Sequence, residues 1–262
     1  MKKLIFLLAI SAAFGLLAGC ETGGGGGSSL VLLGARHYSG NGGTTSILYT
    51  VDTSNGTAAE IGDISYAVNG LAFDFDNGIL YGTTSTNDGI FPDGLIEINI
   101  QTGAGTPIGA GAGRRVNNPT IDSSGTMYAW TEDFDDLVTI DTVTGVATVV
   151  GDSGLHTKEH TLAFDAADNL YFVNTGGIVY SINTATGAAG ASVGTIDWTP
   201  HPDYEIAHHG DFHPDSGMLW ALDITDSLTT TRNILVIDIG TLTIDRVIPT
   251  MDSLHVLVFA ER

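Results

Sequence analysis

One repeated phrase restricts what this chain can become. Gly70-Leu71-Ala72-Phe73-Asp74-Phe75-Asp76-Asn77-Gly78-Ile79-Leu80-Tyr81 reads as a short apolar strand, a tight turn of Asp, Asn and Gly, and a second strand. The phrase returns along the chain, and about 15 to 25 residues after each copy comes a second one of the form apolar-x-Ile-Asp/Asn-Thr-x-Thr-Gly, so the unit is four strands long and its period marks a repeat architecture.

Past the N-terminal segment no helical periodicity is found. Runs of Val, Ile, Leu, Thr and Tyr alternate with Gly, Asn, Asp and Ser clusters, which predicts an all-β chain. Reading four strands a to d per unit, one repeat runs through 71–75, 79–83, 95–100 and 105–108, and the next through 119–122, 126–130, 137–141 and 146–150. Two more follow at 162–165, 169–173, 178–183 and 188–193, and at 210–212, 218–223, 234–239 and 243–248. The first repeat has three strands, 30–36, 47–52 and 58–61, and its missing innermost strand is found at 254–260, at the other end of the chain. Closing a ring this way removes the sheet edges that an open array exposes.

Five repeats closed by a terminal strand exchange resemble a five-bladed β-propeller, with repeats similar to those of secreted propellers in the loose company of NHL and SMP-30-like proteins. A six-bladed ring would need a further repeat, and none is found; a β-sandwich or solenoid would leave the terminal complementation unexplained. In such a ring the a-to-b and c-to-d connections are short and capped by Asp or Asn, whereas the d-to-a and b-to-c connections are long, dissimilar and gathered on the opposite face. The short-turn face is therefore expected to be scaffold and the long-loop face the site.

At the N-terminus Met1, Lys2 and Lys3 precede an apolar run to Leu17, and Leu17-Ala18-Gly19-Cys20 closes it with the chain's single cysteine. This is the pattern of a secretory signal over residues 1–19. Its ending resembles the lipobox of bacterial lipoproteins, which implies cleavage and acylation at Cys20 and a bacterial cell-envelope location, extracytoplasmic and anchored to a membrane by lipid. Residues 20–29, mostly Gly and Ser, are expected to be a flexible tether, and 30–262 one propeller domain, a monomer. The formal net charge of -21 repels phosphate backbones and disfavours nucleic acid as a partner.

Counting four residues back from the residue that anchors each innermost strand gives Asn69, Asn117, His160, His208 and His255, an expected ring at the long-loop mouth of the axial channel. Three imidazoles there are candidate ligands for one divalent metal ion, with Asn69 and Asn117 beside them. The alternative is a hydrated polar ring whose amides and imidazoles bond backbone and water. Around it, Glu159 and Glu205 are candidate general bases, Arg114 and Arg115 candidate carboxylate holders, and Phe91, Trp198, Tyr204 and His209 candidate ligand contacts, while Trp130 and Trp220 belong in the core. Two function classes follow: a binding module that meets a protein, glycan or small ligand through its long loops, or a metal-dependent lyase or hydrolase. No G-x-S-x-G, nucleotide loop or cysteine nucleophile offers another enzymatic route.

Overall fold

The computed structural model describes residues 29–37, 45–131, 133–155, 160–204, 206–224 and 232–262. The signal, Cys20 and the tether up to residue 28 lie outside the described residues, as do Glu159 and Glu205.

Twenty strands form five four-stranded antiparallel sheets, with no helix among the described residues. One blade holds β1 (Leu30–His37), β2 (Ser46–Val51) and β3 (Ala58–Asp63), completed by β20 (Leu254–Glu261). The next has β4 (Val68–Asp74), β5 (Ile79–Thr84), β6 (Leu95–Ile98) and β7 (Gly105–Ile108), and the third β8 (Val116–Ile121), β9 (Met127–Thr131), β10 (Asp136–Ile140) and β11 (Ala147–Asp152). The fourth comprises β12 (His160–Phe164), β13 (Leu170–Asn174), β14 (Ile178–Ile182) and β15 (Ala189–Thr195). The fifth comprises β16 (Ala207–Phe212), β17 (Leu219–Asp223), β18 (Arg232–Asp238) and β19 (Thr243–Thr250). The molecule is a five-bladed β-propeller.

Burial falls from the axis outward. Every residue of β12 is buried, whereas β3, β7 and β15 are half-buried or exposed along their length. An innermost strand is covered on both faces by its neighbours, so its sequence runs apolar without alternation; an outermost strand has water beside it and tolerates Thr, Ser, Asp and Glu. The buried side chains fall into five clusters, each built from two adjacent blades. Leu33 and Leu48 meet Leu71 and Phe73, while Trp130 and Leu137 meet Leu162 and Phe172. Trp220 and Leu222 meet Leu32 and Phe259, and this cluster closes the circle.

The closure follows the terminal exchange. β1 pairs antiparallel with β20 from Leu30 opposite Glu261 to Arg36 opposite Leu254, with a bulge at Ala35/Arg36. Backbone bonds of 3.0 Å in both directions between Ser29 and Arg262 extend the ladder by one residue.

The Thr-Gly phrase that ends each repeat has a role beyond its turn. Gly103 sits in the left-handed region at φ +82, and a Cβ there would lie 2.6 Å from the carbonyl oxygen of Gly62 in the preceding blade. Gly187 repeats this contact on Gly151, at 2.4 Å. Each turn thus docks backbone on backbone against the outermost strand of the blade before it, and that approach excludes any side chain. The last repeat departs from the phrase: Leu242 itself adopts φ 58 and packs against Gly194.

Candidate functional site

At the long-loop end the five counted positions do not form one uniform ring. Asn69 accepts a bond from the Thr83 hydroxyl (2.7 Å) and donates to the Val116 carbonyl (3.2 Å) and to the Asn117 side-chain oxygen. Asn118 donates to the His160 carbonyl (2.9 Å), and Thr161 to the Ala207 carbonyl (3.1 Å). Together these bonds join β4 to β8, β8 to β12 and β12 to β16. Buried amides and hydroxyls there satisfy backbone groups that the inner strands, splayed from one another, cannot pair in a ladder.

His160 is fully buried and turned into the interface between two blades. Its ring stacks on Phe172 at 4.8 Å, 16° from parallel, and lies 5.7 Å from Trp130. His208, His209 and His255 come together instead: ring centroids are 3.8 Å apart for His208 and His209, 4.9 Å for His209 and His255, and 5.6 Å for His208 and His255. The reason lies in the strand. The register of β16 on β17 shifts between His208 and Asp211, and His209 takes a left-handed φ of 43°. Asn118 does the same in β8, at φ 47° beside a shift between Asn117 and Thr120. A bulge adds a residue and re-aims the side chains next to it, which equal counting from the anchor residue does not anticipate. Burial holds the His209 imidazole well below its ordinary value of 6.5, and the neighbouring His208, His255 and His160 depress it further, so it is neutral. Among the described residues no group of three His, Cys, Asp or Glu side chains is placed to hold a metal ion.

Of the other candidates, Arg114 forms an ion pair with Asp136 at 3.6 Å, both partly exposed, and Arg115 is half-buried. Phe91 meets Tyr66 edge-on at 6.4 Å, Trp198 donates its indole N–H to the Gly176 carbonyl (3.2 Å), and Tyr204 stacks on His201 at 5.9 Å. These three aromatic rings are half-buried and brace their own loops. Among the described residues, the large apolar side chains that face solvent in the b-to-c connections are Ile90, 68% exposed, and Phe134, 65% exposed. Neither was a sequence candidate; the available signal was an apolar side chain among loop aspartates, Ile90 beside Phe91 and Phe134 between Asp133 and Asp135. Trp130 and Trp220 are core residues, as expected.

The short-turn end is more than scaffold. A cavity of about 290 Å³ lies there on the axis between the inner strands and their a-to-b turns. Its walls include Leu71, Phe73, Leu162, Phe164, Phe212 and Val258. Asp74, Asp76, Asp122, Asp165, Asp168 and Asp211 also line it, and no Lys, Arg or His does. Most of these carboxylates cap turns: Asp74 accepts from Asn77, Asp165 from Asn169, and Asp168 from the backbone N–H of Ser123 in the neighbouring blade at 2.8 Å. Asp211 differs, since it stands on β16 itself. Its two oxygens accept backbone N–H groups of Phe212 and of Phe259 on β20, each at 2.9 Å, which links the fifth blade to the closing strand. Burial raises its pKa from the ordinary 3.8 to about 6 against the lowering effect of those two bonds.

Comparisons with known proteins place this geometry in a fold. No protein-family model matches the sequence, and no curated protein matches it. Among solved structures, the chain is similar to one in a nidogen/laminin complex, at 15% identity and a TM-score of 0.55, over 88% of this chain and 98% of that one. It is also similar to TolB from Acinetobacter baumannii, at 12% identity and a TM-score of 0.50, over 85% of this chain and 53% of that one. A weaker likeness is to Kuenenia stuttgartiensis hydrazine synthase, at 13% identity and a TM-score of 0.45, over 70% of this chain and 49% of that one. The chain thus spans about half the length of the TolB and hydrazine synthase chains. Similarity at this level establishes the propeller fold and leaves activity to the residues themselves.

Proposed function

We propose that this protein is a lipid-anchored binding module of the bacterial cell envelope, monomeric and extracytoplasmic, which meets a protein partner through its long-loop face. The observation that carries the reading is the pair Ile90 and Phe134, large apolar side chains left exposed in the b-to-c connections of adjacent blades while the aromatic rings of neighbouring loops are tucked in. Exposed apolar side chains on a rigid frame are what a docking surface needs, because little ordering entropy is lost on contact. The Cys20 anchor and the Gly/Ser tether leave such a domain free to turn its loop face towards an envelope partner.

The test is a photo-crosslinking amino acid placed at residue 90 or 134 in cells, with exposed Val193 on the outermost strand of the fourth blade as control. A discrete adduct from the loop positions, lost in an Ile90→Asp/Phe134→Asp variant and unaffected by replacing His160, His208 and His255, supports the reading. Equal background from all three positions overturns it. Metabolic labelling with palmitate, abolished by Cys20→Ser, tests the anchor separately.

A further inference from the structure

We propose that the axial cavity at the short-turn end is a second binding site, for an organic cation: an ammonium group carried on a compact apolar body, with Asp211 as its counter-charge. The site differs from the long-loop face in position and chemistry and does not depend on it.

Counting back one residue from Phe73, Ile121, Phe164, Phe212 and Phe259 gives one layer of the inner strands: Ala72, Thr120, Ala163, Asp211 and Val258. Four blades supply small or apolar side chains, and the fifth supplies a carboxylate. Ala72, Thr120, Asp211 and Val258 of this layer line the cavity, whose volume of about 290 Å³ is near the lower end, roughly 300 Å³, of pockets that take small molecules. Asp211 lines that space and keeps some accessible surface. Each of its oxygens accepts a single backbone N–H, and since an ionised carboxylate offers about four acceptor positions, two remain for a donor in the cavity.

Charge and wall chemistry select the ligand. Six aspartates line the cavity with no basic side chain among them, so an anion is repelled and a cation is drawn in, most strongly where the low-dielectric walls concentrate the field. Phe73, Phe164 and Phe212 make those walls partly aromatic, and a ring that turns its face to the cavity attracts an ammonium and packs against an apolar body. A bare metal ion fits less well. The carboxylates of the rim sit on turns of different blades, no three among the described residues are gathered as ligands, and the walls between them are hydrocarbon rather than oxygen.

The test is calorimetric titration of the purified full-length chain at about pH 8 with three probes of matched shape: phenethylammonium, the neutral 2-phenylethanol and the anionic 3-phenylpropionate. The amine is expected to bind at least about ten-fold more tightly than the alcohol, and the carboxylate to give no binding. Asp211→Asn should weaken the amine about ten-fold or more and leave the alcohol unchanged, the signature of one lost charge-assisted contact in an intact pocket. Equal affinity for amine and alcohol overturns the proposal, as does preference for the anion, or absence of amine binding up to about 10 mM. Unchanged amine binding in Asp211→Asn overturns the assignment of the counter-charge. Stoichiometric calcium binding that expels the amine reassigns the cavity to a metal. The probe series is read on the unaltered chain, so it decides the matter even if the variant folds poorly.

Discussion

Replacing Asp211 by Asn should change the sign of its effect on stability with pH. In the folded protein the carboxyl titrates at about 6 instead of 3.8, chiefly because it is buried. At about 1.4 kcal/mol per pH unit, keeping it ionised costs the fold about 3 kcal/mol at neutral pH and above. The sign is that of a raised acid: the native state holds a proton that the unfolded chain has lost, so stability falls as pH rises from about 4 to 6 and is then level. Asparagine removes that cost but offers one acceptor where the carboxylate offers two, leaving the N–H of Phe212 or of Phe259 without its bond, a loss of about 1 to 3 kcal/mol. Near pH 4, where Asp211 is already neutral, the variant should therefore be less stable by about 1 to 3 kcal/mol. Near pH 8 the two contributions offset, and the variant should equal the parent or exceed it by up to about 2 kcal/mol. Urea unfolding followed by the fluorescence of buried Trp130 and Trp220 reads this at each pH. The reasoning is refuted if the two stability curves run parallel from pH 4 to 8, since Asp211 would then titrate alike in the folded and unfolded states.

Three further outcomes are expected. His209, held neutral by burial, binds a proton in the unfolded chain and not in the fold, so stability should decline as pH drops below 6.5 by about 1.4 kcal/mol per unit; His209→Asn, which tolerates its left-handed backbone, should flatten that limb in an acid series of urea melts. Gly103→Ala and Gly187→Ala should each destabilise far more than Gly125→Ala, because all three have φ near +80° but only the first two meet a neighbouring blade's carbonyl, and differential calorimetry of the three variants compares them directly. Phe259→Ala should cost about 3 to 5 kcal/mol, as its ring fills the cluster that joins the fifth blade to the first, and a denaturation midpoint unmoved by it would mean the ring is not held shut there.

The architecture was legible because the repeat acts at every level: turn chemistry, apolar runs and the Thr-Gly phrase agree from blade to blade. The exchange of β20 into the first blade followed from counting strands, since Leu254–Glu261 carries the same apolar run as the other inner strands. Its exact register stayed open because an unbroken apolar run pairs equally well one residue to either side; the structure sets Leu30 opposite Glu261 with a bulge at Ala35/Arg36. The mouth residues were harder. Asn69, Asn117, His160, His208 and His255 share a sequence position, yet bulges in β8 and β16 and the packing of His160 on Phe172 give them different surroundings. A one-residue shift in a strand reverses which way a side chain points, and nothing in the composition of His208-His209-Gly210-Asp211 sets where the extra residue falls. The cavity was missed for a related reason. Asp74, Asp122 and Asp165 were read as turn caps, and four turns from distant stretches of chain become the rim of one opening only after the ring closes.

The fifth blade departs most from the repeat, and the departures coincide. It lacks the Thr-Gly turn and uses Leu242 in its place; its inner strand shares its bulge with β8 but carries His209 near one end of the axis and Asp211 in the cavity at the other. Gly210 between them cannot take a side chain, since a Cβ would lie 2.5 Å from the Trp220 carbonyl oxygen. A regular strand would set residues 209 and 211 on one face, two apart, and the irregularity is what frees them to have separate surroundings. A strained His backbone costs of order 1 to 3 kcal/mol and the half-buried carboxylate about 3 kcal/mol more, both on the inner strand that packs beside β20 in the neighbouring blade. A scaffold under no other demand would put Ala or Thr at position 211, as the second, third and fourth blades do at 72, 120 and 163. Thr120 shows that the interblade bond at this position needs only a neutral oxygen, since its hydroxyl accepts the Phe164 N–H of the next inner strand at 3.4 Å much as Asp211 accepts that of Phe259 at 2.9 Å. The charge at 211 is the part that bond leaves unexplained, and it is the part a cation in the cavity would use.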